Sequence, residues 1–184
     1  MSPKGNLVSI AFIGGGNMAT ALVGGMVAHG RAPSDFSIVE PFAEQRAKLA
    51  ARFPGAALHE HTTREAIDGA TLVVLAVKPQ QMRDACVALA PFVGDVRAVL
   101  SIAAGSRIAD ISRWLGGFTR VVRAMPNTPA LVGAGIAGMY APPAVNAAGR
   151  AAGEAVLKAA GDVVWCDEEP MLDAILREKQ PDGA

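Results

Sequence analysis

The chain has 184 residues and balances 17 Lys and Arg against 17 Asp and Glu, a formal net charge of zero. Without a basic excess, nucleic acid and anionic membranes are excluded as principal partners, since both are bound through a positive field. Hydrophobic residues make up 51% and charged residues 18%, which excludes disorder and points to one core-bearing domain with the edge of a second.

The apolar run Leu7–Ile13 reads as a buried strand and is too short for a signal peptide. Asn17 to His29 follows as a helix, apolar on more than one face through Met18, Leu22, Val23, Met26 and Val27, with His29 a favourable charge at its end. Ser37–Glu40 is a short strand stopped by Pro41, and Ala43 to Phe53 a surface helix. Leu72–Val77 is a nearly pure run of branched residues, as in a strand covered on both faces. Pro79 stands at the first position of a helix running to about Ala90. In that helix Cys86 shares a face with Met82 and Leu89 and reads as a core residue. Val96–Ile102 is a strand, Ile108–Leu115 a short helix, and Thr119–Met125 a strand stopped by Pro126. Ile136–Tyr140 is a weaker strand, Ala144–Ala160 a helix stopped by Gly161, and Val163–Cys166 a last strand ending in a free thiol. Strands alternating with helices predict an α/β, Rossmann-type doubly wound, mainly parallel sheet with helices on both faces. Residues 1–166 form this domain in that reading, and 167–184 begin a second. No apolar stretch reaches the roughly 18 residues needed to cross a bilayer, so the expected location is cytoplasmic.

The first strand runs into Gly14-Gly15-Gly16-Asn17-Met18-Ala19, a G-x-G-x-x-A turn placed between strand and helix as dinucleotide binding requires. Gly14 permits the tight turn, Gly16 lets a pyrophosphate approach the backbone, and Ala19 lets helix and strand pack closely. The helix start adds free N–H groups and a partial positive charge. Glu40 stands 24 positions after Gly16. It is either an acid that accepts from the adenosine ribose, which favours NAD over NADP, or a solvated loop acid. Lys78, within Val77-Lys78-Pro79, faces a phosphate or the reacting centre, or contributes backbone contacts alone. Small residues at Ser101-Ile102-Ala103-Ala104-Gly105 leave room for a flat ring. Met125-Pro126-Asn127-Thr128-Pro129 forms a rigid polar loop at the same rim. His59 and His61 would share a strand face, without a third metal ligand nearby.

Four segments in this order resemble pyrroline-5-carboxylate reductase: Phe12–Ala19, Ala76–Gln80, Ser101–Gly105 and Val122–Ala130. The resemblance implies hydride transfer from NADP(H) or NAD(H) to the C=N carbon of 1-pyrroline-5-carboxylate, giving L-proline. It implies cofactor contacts at Ile13, Gly14, Gly15, Gly16, Asn17 and Met18 and at Ala76, Val77, Lys78 and Pro79. Ala103 and Ala104 would lie near the nicotinamide, with Asn127 on the adjoining loop. The family continues into a Ser-Gly-Ser-Gly-Pro-Ala-Tyr segment and a helical domain with most of the substrate site and the dimer interface. Here Leu176–Ala184 is a polar tail that departs from that pattern. Three expectations follow from this reading. The chain ends in a truncated or frameshifted form, it does not turn over by itself, and a helix beginning at Glu168 lacks cover for its apolar side, so that residues after about Pro170 are mobile or make contacts with another chain. The other readings are a nucleotide-binding module without turnover and a hydroxyacid-type dehydrogenase.

Overall fold

The computed structural model describes residues 9–126 and 135–179, with side chains to residue 174. Leu7 and the loop residues Asn127 and Thr128 lie outside the described residues. The elements alternate as the apolar periodicity requires. They run β1 (Ser9–Ile13), α1 (Asn17–Ala28), β2 (Phe36–Val39), α2 (Ala43–Arg52), β3 (Ala57–His59), α3 (Arg64–Ile67), β4 (Ala70–Leu75) and α4 (Met82–Leu89). Then follow β5 (Ala98–Ser101), α5 (Ile108–Trp114), β6 (Val121–Met125), β7 (Gly135–Tyr140), α6 (Ala147–Lys158), β8 (Gly161–Trp165) and α7 (Pro170–Lys179).

Eight strands form one sheet in the order β3-β2-β1-β4-β5-β6-β7-β8. All neighbours pair in parallel except β6 and β7, which are antiparallel, with Arg123 opposite Tyr140. The chain winds outward from β1 in both directions, so β1 and β4 flank the point where the strand order reverses. In open α/β sheets, ligands sit beyond the carboxyl ends of the strands at such a point. Phe12, Leu22, Ile38, Val74, Leu100 and Leu157 belong to the core on one sheet face, and Ile13, Val73, Met82, Cys86, Val99 and Ile111 to that on the other. No helix among the described residues is long and apolar enough to cross a membrane.

Several local expectations are revised. The strand ending at Leu75 leaves Val77 in the following loop, and Pro79 opens a 3-10 turn, Pro79–Gln81, ahead of α4. The sequence reading gave no element to β3 and α3. β3 is three residues long at the sheet edge, held by parallel pairing to β2 rather than by any apolar alternation. His59 ends β3, whereas His61 lies in the bend beyond it beside Glu60 (3.8 Å), so the two do not share a strand face. The C-terminal segment also differs. The helix starts at Pro170 rather than Glu168, and its Leu172 is fully buried in a cluster with Met125 and Cys166, with Tyr140 against it. Extension of the sheet by β7 and β8 creates this apolar face beside α5, and α7 covers it; Met171 remains exposed.

Candidate functional site

Three consecutive glycines open the site, each for a separate steric reason. Gly14 has φ +100°, and a Cβ there would lie 2.5 Å from the carbonyl oxygen of Ala76. A side chain is therefore opposed by both the backbone conformation and a strand neighbour. Gly15 faces inward: its Cβ would lie 2.7 Å from Leu49 Cδ1 and 3.1 Å from Ile38 Cγ2. Gly16 has open space around the Cβ position, with no atom within 4 Å. The fold itself does not require the third glycine, so its lack of a side chain keeps the backbone accessible to a ligand. Gly16 is also the N-cap of α1 and provides no capping side chain. The first-turn N–H groups thus have no side-chain acceptor, and the positive end of the helix dipole meets the same space.

The turn is clamped on both sides of Gly15. Its N–H donates to Glu40 Oε1 (3.3 Å), and its carbonyl oxygen accepts from Gln45 Nε2 (2.7 Å). Glu40 Oε2 accepts in addition from the N–H of Phe42 (3.1 Å). Arg46 secures the same corner by donating Nη1 to the carbonyl oxygens of Glu40 and Pro41, each at 2.8 Å. Glu40 is 6% exposed, so it is not the solvated loop acid of one sequence reading. Two backbone donors bind its carboxylate, which keeps lone pairs for a further partner.

A cavity of about 690 Å³ opens here, lined by the turn from Ile13 to Gly16, by Val39–Phe42, by Glu60–Thr62 and by Ala76–Lys78. The remaining wall is Gln81 and α4, the latter through Asp84, Ala85 and Ala88. Its size is that of a cofactor cleft. The sequence-derived residues Ile13, Gly14, Gly15, Gly16, Glu40, Ala76, Val77 and Lys78 therefore come together around one space. Lys78 is exposed at its mouth. Asn17, Met18 and Pro79 adjoin it in sequence but are not among its lining residues. Ala103 and Ala104 stand beyond the end of β5, the first buried and the second exposed, and also lie outside that lining. Asn127 lies outside the described residues. Uncapped N–H groups, an unobstructed Gly16 and a partly engaged carboxylate suit a pyrophosphate with a ribose beside it.

Gln45 and Phe42 escaped the sequence reading. Gln45 looks like any polar residue on a surface helix. Phe42 is 69% exposed against the cavity, and no local pattern distinguishes it from a core aromatic. A second polar centre was missed as well. Arg123, on β6, is 1% exposed and pairs through Nη1 with Glu169 Oε1 at 2.8 Å. The same Glu169 oxygen accepts the N–H of Ile108 at the start of α5 (2.8 Å). A charge inside the apolar run Val121–Met125 was the available signal, because a buried arginine requires a counter-charge.

A family described as NADP oxidoreductase, coenzyme F420-dependent, matches residues 9–105. A pyrroline-5-carboxylate reductase of Pseudomonas aeruginosa is 44% identical over 166 residues, which cover 90% of this chain and 60% of that protein. Among solved structures, a pyrroline-5-carboxylate reductase from Coxiella burnetii superposes with a TM-score of 0.86 at 34% identity, over 92% of this chain and 63% of that one. The Plasmodium falciparum pyrroline carboxylate reductase with NADP bound has the same fold, with a TM-score of 0.75 at 21% identity, over 89% of this chain and 59% of that one. The chain thus spans about 60% of the length of the curated relatives first matched.

Proposed function

The chain belongs to the NADP oxidoreductase, coenzyme F420-dependent family, and on that premise we propose that it is the cofactor-holding part of a pyrroline-5-carboxylate reductase. The observation that carries the proposal is the open space at Gly16, where an uncapped helix start faces a cleft of dinucleotide size. When bound, NADPH supplies a hydride to the imine carbon of 1-pyrroline-5-carboxylate while the ring nitrogen gains a proton, which gives proline.

The chain's own residues bind and orient. Gly14 brings β1 to within backbone contact of Ala76, which fixes the floor of the cleft. Gly16 and the N–H groups of Asn17 and Met18 receive the pyrophosphate. Glu40 accepts from ribose hydroxyls with the lone pairs that Gly15 and Phe42 leave free. Its bonds to two N–H groups soften its repulsion of an added phosphate, so NADPH is admitted as well as NADH. Ala76, Val77 and Pro79 present backbone along the far wall, and Lys78 adds a cation at the mouth. Ala103 and Ala104 keep the rim flat for the nicotinamide. The substrate is a small molecule.

Calorimetric titration with NADPH tests the binding half, and saturable heat is expected. No heat at millimolar NADPH would remove the reading altogether. Oxidation of NADPH that depends on added 1-pyrroline-5-carboxylate tests the catalytic half. Binding without such oxidation would leave a dinucleotide-binding module in place of a reductase.

A further inference from the structure

We propose that Glu169 is a positioning residue that couples the segment leading into α7 to the nicotinamide-side rim of the cofactor cleft. The proposal rests on the cofactor reading above. One carboxylate oxygen, Oε1, holds two elements at once, namely the guanidinium of Arg123 on β6 and the N–H of Ile108 at the first position of α5, each at 2.8 Å. Ile108 is the end of the stretch that starts at Ser101 and contains Ala103 and Ala104. Ser101 stands directly beside Arg123 in the sheet register. The rim is therefore anchored at both ends to one neighbourhood, by strand pairing at Ser101 and by Glu169 at Ile108.

Arg123 makes this anchor stringent. It is 1% exposed, and its Nε has no hydrogen-bond partner among the described residues. Its other contacts are weak, with Asp173 Oδ1 at 3.8 Å and the sulfur of Met125 at 4.0 Å. A buried guanidinium with so little other compensation holds Glu169 in place, because releasing it would strand a charge in the interior. Leu172, one turn further on, is packed under the same sheet face. A shift of α7 therefore reaches Ile108 and the rim through Glu169. It does not reach the glycine turn, which is clamped separately by Glu40 and Gln45.

The test compares two probes on the whole chain: NADPH, which spans both halves of the cleft, and 2′-phospho-ADP-ribose, which lacks the nicotinamide. Glu169→Ala, which removes the acceptor of the Ile108 N–H, should weaken NADPH about fivefold, the scale of one lost hydrogen bond. It should leave 2′-phospho-ADP-ribose within about twofold, as expected for distant, independently held sites. A second variant, Arg123→Met with Glu169→Leu, replaces the ion pair by apolar packing and keeps the fold. It still loses the Ile108 contact, so it should show the same selective loss. Equal losses on both probes, or none on either, in the variant that folds would overturn the inference alone. A wild-type chain that binds neither probe would overturn the cofactor reading and this inference with it.

Discussion

The two polar centres of this sheet are built in opposite ways. At the β1–β2–β4 end, the donors at the start of α1 are left open and a carboxylate is held with lone pairs to spare. At the β6–β8 end, a charge is taken inside and closed off, with Glu169 placed across β6 and α5. The first centre holds polar groups ready for something outside the chain, and the second uses them to hold the chain together. The difference shows what a polar group near a sheet edge signifies. Where polar groups with spare capacity open onto a cavity they indicate a ligand, and where they are sealed in the interior against the chain's own partners they indicate architecture.

Substitutions can break this comparison, and the largest effect is expected at Gly14. A methyl there meets the Ala76 carbonyl oxygen at 2.5 Å in a backbone conformation with φ +100°. Gly14→Ala should destabilise by on the order of 3 kcal/mol, from left-handed strain together with overpacking. Urea denaturation measures it through the midpoint. A midpoint like that of the wild type would mean the turn relaxes freely and does not set the cleft floor. Next comes Glu169→Ala, which leaves Arg123 buried and poorly compensated. Breaking a buried pair costs about 3–5 kcal/mol. Glu169 itself is 23% exposed and Asp173 lies 3.8 Å from Arg123, so about 2 kcal/mol is expected here. Unchanged stability would show that the second centre is not architectural.

Gly16 gives the smaller but sharper contrast. With open space at its Cβ, Gly16→Ala should alter stability by no more than about 0.5 kcal/mol, as surface substitutions do. It should weaken NADPH by roughly 1–3 kcal/mol, because the methyl stands between backbone and pyrophosphate. The adjacent glycines would then divide cleanly, one needed by the fold and one by the ligand. A variant that binds NADPH normally would reassign Gly16 to the turn.

What could be read from the sequence divides along the same line. The glycine turn is a local device: strand, turn, helix start and Glu40 follow within about 30 residues, so spacing alone reveals it. The parallel sheet was legible for the same reason, since each βαβ unit announces itself by an apolar run and a helical period. The second centre joins residues 46 apart. Glu169 looked like one of several acids before a helix, and only the antiparallel turn of β7 brings it under β6. β3 and the seat of Leu172 were hidden likewise, because both depend on pairing and on a sheet face that no local pattern displays. Glu40 was found, but its attachment to Gly15 was not, because burial at a strand end depends on what α2 packs over it.

Cys86 allows the finest test of how this interior treats a polar group that lacks a counter-charge. It is fully buried on α4, behind the wall of the cleft formed by Asp84, Ala85 and Ala88. Arg123 is paired with Glu169, whereas Cys86 has no such partner, and burial pushes its thiol from 9.0 up to about 11. The folded protein thus favours the protonated form, whereas an unfolded chain ionises at the ordinary value. The stabilisation this confers is complete below the unfolded pKa and is lost as pH rises from about 9 through about 11. At a pH one unit above the unfolded value the loss should be on the order of 1 kcal/mol. Other groups change protonation in alkali too, so the wild-type slope alone does not isolate it. The difference between wild type and Cys86→Ala does. The variant is expected to start less stable, because it leaves a small cavity, and then to lose less stability than the wild type as pH rises above 9. Parallel slopes would mean that Cys86 ionises without resistance and that the wall behind the cleft is wetter than its packing implies. Slow reaction of the thiol with a neutral alkylating reagent near pH 8, accelerated in denaturant, is the kinetic counterpart, since the thiolate is the nucleophile.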